Sequence, residues 1–156
     1  MHIELDGVTR PQVLDLLREH LANMYELSPP DRVFAFDASE LQAPDVTFWT
    51  VWQGDELLGC GALKELDPRH GEVKSMRTPR AARRKGAGKN VIEHIIATAR
   101  SRGYERLSLE TGSHPDFGPA HRLYEGYGFV RCGPFSSYKK NENSVFMTML
   151  LGASAG

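Results

Sequence analysis

The feature that most constrains this chain is the stretch 83–103, where a basic run, Arg83, Arg84 and Lys85, meets Gly86, Ala87 and Gly88 at the start of an amphipathic helix. Val91, Ile92, Ile95, Ile96 and Ala99 follow the three-and-four spacing of one apolar stripe, while Lys89, Asn90, Glu93, Arg100 and Arg102 fall elsewhere around the wheel. Gly103 supplies the residue type that commonly closes a helix. The glycines lie just ahead of or within the first turn, where backbone N–H groups lack intrahelical partners and the macrodipole places about half a positive charge. Small residues there let an anion approach the backbone, so the stretch predicts a phosphate site.

Three phosphate motifs compete for it, and spacing separates them. A Walker loop needs Gly at 83 and Ser or Thr after Lys89; the chain has Arg83 and Asn90. A dinucleotide fingerprint uses Gly86 and Gly88 but needs a third small residue where Val91 stands. The third pattern, Arg or Gln, two residues, Gly, one residue, Gly or Ala, is filled by Arg83, Gly86 and Gly88. It resembles the pyrophosphate loop of the GNAT acetyltransferases.

The rest of the chain supplies the context. Residues 2–5 alternate as a short strand, and Thr9 with Gln12 predicts a capping box for a helix with the apolar face Val13, Leu14, Leu17, Leu21 and Met24. A further short helix is expected within 34–41, before Pro44. Strands follow at 46–53 and 57–66, joined by a turn at Gly54 and Asp55, and at 72–78. After the central helix come a strand at 106–111, parallel to 72–78 if the helix is a crossover, a loop at 112–119, a helix at 120–127 and strands at 128–132 and 144–150. The expected fold is α/β, a mixed sheet of about seven mostly antiparallel strands with a central parallel pair and helices on both faces.

At 156 residues the chain is expected to be one domain, 1–151, with a frayed tail at 152–156. A formal net charge of -1 gives no global electrostatic case for nucleic acid or a membrane surface. No apolar run approaches the roughly 20 residues needed to cross a bilayer, and the charged residues near Met1 do not form a signal peptide, so the cytoplasm is the expected location. Cys60 and Cys132 lack metal or redox spacing and read as buried small hydrophobes; His20, His94 and His121 lie at no metal-ligand spacing, so no metal is expected.

Two further patterns carry the GNAT resemblance. Ala120, Leu123 and Tyr124 followed by Gly128 and Phe129 are similar to the family's A-x-x-L-Y-x-x-x-G-F, and Met76, Arg77, Thr78 and Pro79 resemble the strand end whose backbone pairs with the pantetheine arm. From 20 to 149, through segments such as GCGALKELD, EVKSMRT and SLETGS, the chain also resembles a bacterial subgroup of little-characterised GNAT proteins. The resemblance implies an acetyl-CoA-dependent N-acetyltransferase acting on a small-molecule amine through a ternary complex, in a family where homodimers are common. It implies cofactor contacts from Met76, Arg77, Thr78, Arg83, Arg84, Lys85, Gly86, Ala87, Gly88, Lys89 and Tyr124. Where many members have Asn seven residues ahead of the tyrosine, this chain has Phe117, which is expected to pack against the arm, with Ser113 and His114 as polar groups on the same loop.

The chemistry sets what the residues must do. An amine with pKa near 10.4 is neutral in only about 1 part in 2,500 at pH 7, equivalent to roughly 4.6 kcal/mol, so a base or a desolvating pocket is needed. Glu72 and Glu110, on the strands that flank the crossover, are the candidate bases, each also suited to a salt bridge with Lys74 or Arg77; His114 is a weaker candidate. Lys74 and Arg77 read either as acceptor-pocket cations or as a solvated strand face. Tyr124 is the candidate proton donor to the leaving thiolate. Tyr25, Glu26 and Arg32 are pocket-rim candidates. A coenzyme A sensor without catalysis and a phosphotransfer enzyme are the rival readings.

Overall fold

The β-branched and aromatic runs on either side of Gly54 form the long hairpin that the alternation requires, β2 (Val46–Gln53) and β3 (Glu56–Asp67). The computed structural model describes residues 1–18, 38–79 and 86–152. Ahead of the hairpin lie β1 (His2–Leu5), the helical residues 11–18 (α1) and a single turn, α2 (Ala38–Leu41). After it come β4 (His70–Arg77), α3 (Ala87–Ser101), β5 (Arg106–Gly112), a 3₁₀ turn at Pro115–Phe117, α4 (Gly118–Gly126), β6 (Val130–Cys132) and β7 (Ser144–Leu150). Among the described residues seven strands make one sheet, ordered β1-β2-β3-β4-β5-β7-β6. Only β4 and β5 run parallel, joined through α3 as the sequence predicts.

One face of the sheet packs on α3 and α4 through Leu58, Leu63, Val73, Leu107, Leu109 and Met147, against Val91, Ile92, Ile95, Ile96 and Ala99. The other face carries Phe48, Trp52 and Ala62 under Val13, Leu16, Leu17 and Leu41. The apolar stripe of α3 is therefore fully buried, and Gly103, at φ 82, ends the helix in the left-handed region. Gly61 is where α3 comes nearest the sheet: a Cβ there would overlap Val91 and stand 2.7 Å from Met76 Sδ. Gly61→Val is expected to cost about 1–3 kcal/mol by overpacking, seen as a lower denaturant midpoint at unchanged slope.

Two expectations change, and others fall outside the described residues. Arg10, not Thr9, stands at the start of α1: its carbonyl accepts from the N–H groups of Val13 and Leu14, each at 3.0 Å. The cause is tertiary, because its guanidinium is tied to Glu4 and Asp6 and lies 4.4 Å from the Trp52 ring centroid. Leu21 and Met24, together with His20, Tyr25, Glu26 and Arg32, lie outside the described residues. Cys60 is buried as expected but Cys132 is exposed, because β6 is a three-residue edge strand with no residue of it covered.

Candidate active site where the parallel strands part

The site begins with one extra residue in β4. Ala62 pairs with Lys74 and Cys60 with Arg77, so two steps along β3 face three along β4. The bulge falls at Ser75, whose φ is 54, and Cys60 Sγ donates to the Ser75 carbonyl at 3.3 Å. A bulged strand bends and twists away from its neighbour. Pairing of β4 with β5 accordingly stops at Val73 and Leu109, while β5 stays paired with β7 as far as Gly112 and Ser144. Residues 74–77 and 110–112 thus border an opening in the sheet.

The start of α3 lies beside the end of β4. Gly59 shows this, since a Cβ there would be 3.1 Å from both Ala87 Cβ and the Arg77 carbonyl and 3.7 Å from Thr78 Oγ1. Gly86 is the N-cap, at φ 85, and a Cβ built on it would meet no atom within 4 Å among the described residues. The first intrahelical bond runs from Asn90 N–H to the Gly86 carbonyl, which leaves the earlier amides of the turn without intrahelical acceptors. Ala87 is buried, Lys89 is exposed, and Gly88 approaches Leu123 of α4. Small residues, amides without intrahelical acceptors and the positive helix end suit a diphosphate. Arg83, Arg84 and Lys85 lie outside the described residues.

On the α1 side of the sheet, acidic and basic groups converge beside the opening. The Glu72 side chain is 3 % exposed and the Lys74 side chain 7 %. Lys74 Nζ donates to Glu72 Oε2 at 3.1 Å and to the Tyr138 hydroxyl at 2.9 Å, and that hydroxyl donates to Glu72 Oε2 at 2.6 Å. Across the parting strands, Glu110 accepts a bond from Ser144 Oγ at 3.1 Å. Burial pushes the Glu110 carboxyl up to about 7; the Ser144 bond and the Lys74 charge oppose the rise and the Glu72 charge adds to it. Phe146, opposite Glu110 on β7, is buried against Phe135 and Tyr138, with ring centroids 6.0 and 5.6 Å away. On the other side of the sheet Tyr124 is buried in the core with its ring 5.8 Å from Phe129, and burial pushes its phenol upward. Its hydroxyl makes no hydrogen bond among the described residues.

The model of the acetyltransferase (GNAT) family matches residues 11–129. This chain belongs to the GNAT family. Over 151 residues it is 56% identical to a protein of Bacillus subtilis (strain 168) named uncharacterized N-acetyltransferase YsnE, covering 97% of this chain and 100% of that one. Over 149 residues it is 43% identical to uncharacterized N-acetyltransferase YedL of Escherichia coli (strain K12), covering 96% and 94%. Among solved structures, a Bacillus subtilis acetyltransferase in complex with CoA shares the fold with TM-score 0.68 at 22% identity, covering 96% of this chain and 97% of that one.

In this GNAT chain the structure brings Met76, Arg77, Thr78, Gly86, Ala87 and Gly88 to one end of the opening, and sets Glu72, Lys74 and Glu110 on one face of the sheet beside it. The Phe117 ring packs on Gly112 at the end of β5, where it would overlap a Cβ. His114 instead caps the 3₁₀ turn, its Nδ1 accepting from Asp116 N–H at 3.1 Å. Lys74 does not belong to a solvated strand face, because the 133–143 loop covers it. Tyr138 matches none of the spacing motifs; its one sequence signal is an aromatic pair, Phe135 and Tyr138, in a loop otherwise rich in Ser, Lys and Asn. A groove of about 420 Å³ lined by Ile3, Trp49, His94 and Arg102 lies elsewhere, with none of these groups in it. Among the described residues no helix is long and apolar enough to cross a membrane, and no three His, Cys, Asp or Glu side chains group as a metal site.

Proposed function

We propose that this acetyltransferase moves the acetyl group of acetyl-CoA to the amine of a small molecule by direct attack, within a domain spanning 1–151, and that Glu110 is the base. The observation that carries this is a mostly buried carboxylate at the edge of the opening between β4 and β5, where burial pushes it up to about 7. Glu72 is the poorer candidate because Lys74 and Tyr138 already occupy its oxygen Oε2. A base near pH 7 combines a useful ionised fraction with enough affinity to take a proton from the attacking nitrogen.

The amides at the start of α3 fit the diphosphate, and the end of β4 at Met76 and Arg77, running on into Thr78 past the last pairing with β5, suits the pantetheine amides. Bound acetyl-CoA supplies the acyl group as a thioester, so no covalent enzyme intermediate is needed. Glu110 takes one proton from the amine as the C–N bond forms. The C–S bond then breaks toward a thiolate of pKa about 8.5. Tyr124, assigned by the family motif, has a phenol pushed above its ordinary value of 10.0, so full proton transfer to the thiolate is uphill. Its role is to donate a hydrogen bond to the departing sulfur, which then takes a proton from solvent. Tyr124→Phe is expected to lower kcat by about 10- to 100-fold with little change in KM for acetyl-CoA, measured by steady-state kinetics.

The deciding experiment mixes the protein with acetyl-CoA and a panel of primary amines and follows free thiol. Amine-dependent thiol release supports catalysis. Tight acetyl-CoA binding with no release for any amine makes the protein a coenzyme A sensor instead.

A further inference from the structure

Lys74 and Glu72 form a buried charged pair on this face that the acetyl-transfer scheme leaves unused, and Lys74 is its cation. Its ammonium is enclosed by Glu72 and Tyr138 through three mutual hydrogen bonds and lies 5.5 Å from the Tyr138 ring centroid. A buried ion pair of this kind is seldom a gain in stability over apolar residues of the same size. Its place beside the opening therefore points to chemistry.

We propose that Lys74 is a positioning residue for acetyl transfer: clamped between Glu72 and Tyr138, its ammonium is a fixed countercharge that favours the ionised form of Glu110 across the parting strands. The inference rests on Glu110 being the base. Lys74 and Glu110 are the next residues past Val73 and Leu109, the last paired positions of β4 and β5, and share one face of the sheet; Glu72, from β4, and Tyr138, from the 133–143 loop, are bonded to Lys74 there and are the other charged and titratable groups acting on Glu110 among the described residues. Ser144 adds an uncharged hydrogen bond from β7, and Glu40 of α2 acts on Tyr138. Lys74 lowers the proton affinity of Glu110 and Glu72 raises it, so the two charges have opposite signatures. Tyr138 holds both in place, which fixes their distances from Glu110 more firmly than a solvated lysine could be held.

The test is the acidic limb of the kcat/KM profile against pH, for one amine acceptor at saturating acetyl-CoA. Lys74→Met is expected to move the limb upward by about one unit, a tenfold weaker acid, and Lys74→Arg to restore most of it. Glu72→Gln, which keeps size and hydrogen bonding and serves even if Lys74→Met fails to fold, is expected to move the limb downward. Glu110→Gln separates the two ideas. If it abolishes the limb while Glu72→Gln and Lys74→Met leave it in place, the countercharge is refuted and the base stands; if the limb survives Glu110→Gln, the base assignment is refuted.

Discussion

Glu110→Gln is expected to cost about 10²- to 10⁴-fold in kcat/KM for the acceptor, and at the same time to make the protein more stable at alkaline pH. The first effect follows from removing the proposed proton acceptor while leaving the amide able to keep the Ser144 bond. The second follows from linkage. Burial raises the Glu110 carboxyl from 4.5 to about 7 in the folded protein. The folded state therefore holds its proton through a pH range in which the unfolded chain has lost it. The associated stability is fully present below about pH 4.5 and is lost as pH rises toward 7. At about pH 8 the buried carboxylate costs up to about 3 kcal/mol, which the glutamine does not. Thermal denaturation at about pH 8 and about pH 4 checks the sign: a higher Tm for the variant at the upper pH only. A variant less stable than the parent at pH 8 would mean that the ionised form is well solvated, and the electrostatic case for Glu110 would fall with it.

Gly86→Glu is expected to weaken acetyl-CoA binding by at least about 100-fold, on the order of 3 kcal/mol. Gly86 stands at φ 85 as the N-cap of α3, with nothing among the described residues within 4 Å of a Cβ built on it. A carboxylate there would compete for the first-turn amides and repel a diphosphate. The left-handed backbone adds a strain of about 1–2 kcal/mol for an ordinary side chain, so the control is Gly86→Asn, which tolerates that conformation and carries no charge. Calorimetric titration with acetyl-CoA should find the asparagine variant within a few-fold of the parent. Equal affinity in the glutamate variant would remove the diphosphate from this helix end.

The limits of sequence inspection have particular causes. The boundaries of β1, β2 and β7 match their expected spans because alternation and flanking turn residues are local properties. α4 begins at Gly118, two residues before the expected start, because Pro119 can occupy the first turn of a helix. Thr9 looked like a cap, yet Arg10 takes the position through bonds to Glu4 and Asp6, a preference that pattern matching does not weigh. Cys132 looked buried because its neighbours are apolar, but burial depends on whether another element covers the strand, and β6 is at the sheet edge. The bulge at Ser75 has no sequence signature, since Ser is not a residue that ordinarily marks a positive φ.

What the sequence by itself determined was the strand–helix–strand unit with glycines at the helix start, the family motifs on α4 and β4, and a short list of carboxylates. Each of these depends on spacing along the chain. What separates the two carboxylates in surroundings comes only from the tertiary structure. Glu72 and Glu110 are alike in sequence terms, but folding surrounds the first with Lys74 and Tyr138, the latter 66 residues away, and leaves the second beside Ser144 at the parting of two strands. Proton affinity is set by desolvation and by charges across space, and neither is a property of a residue's neighbours in the chain.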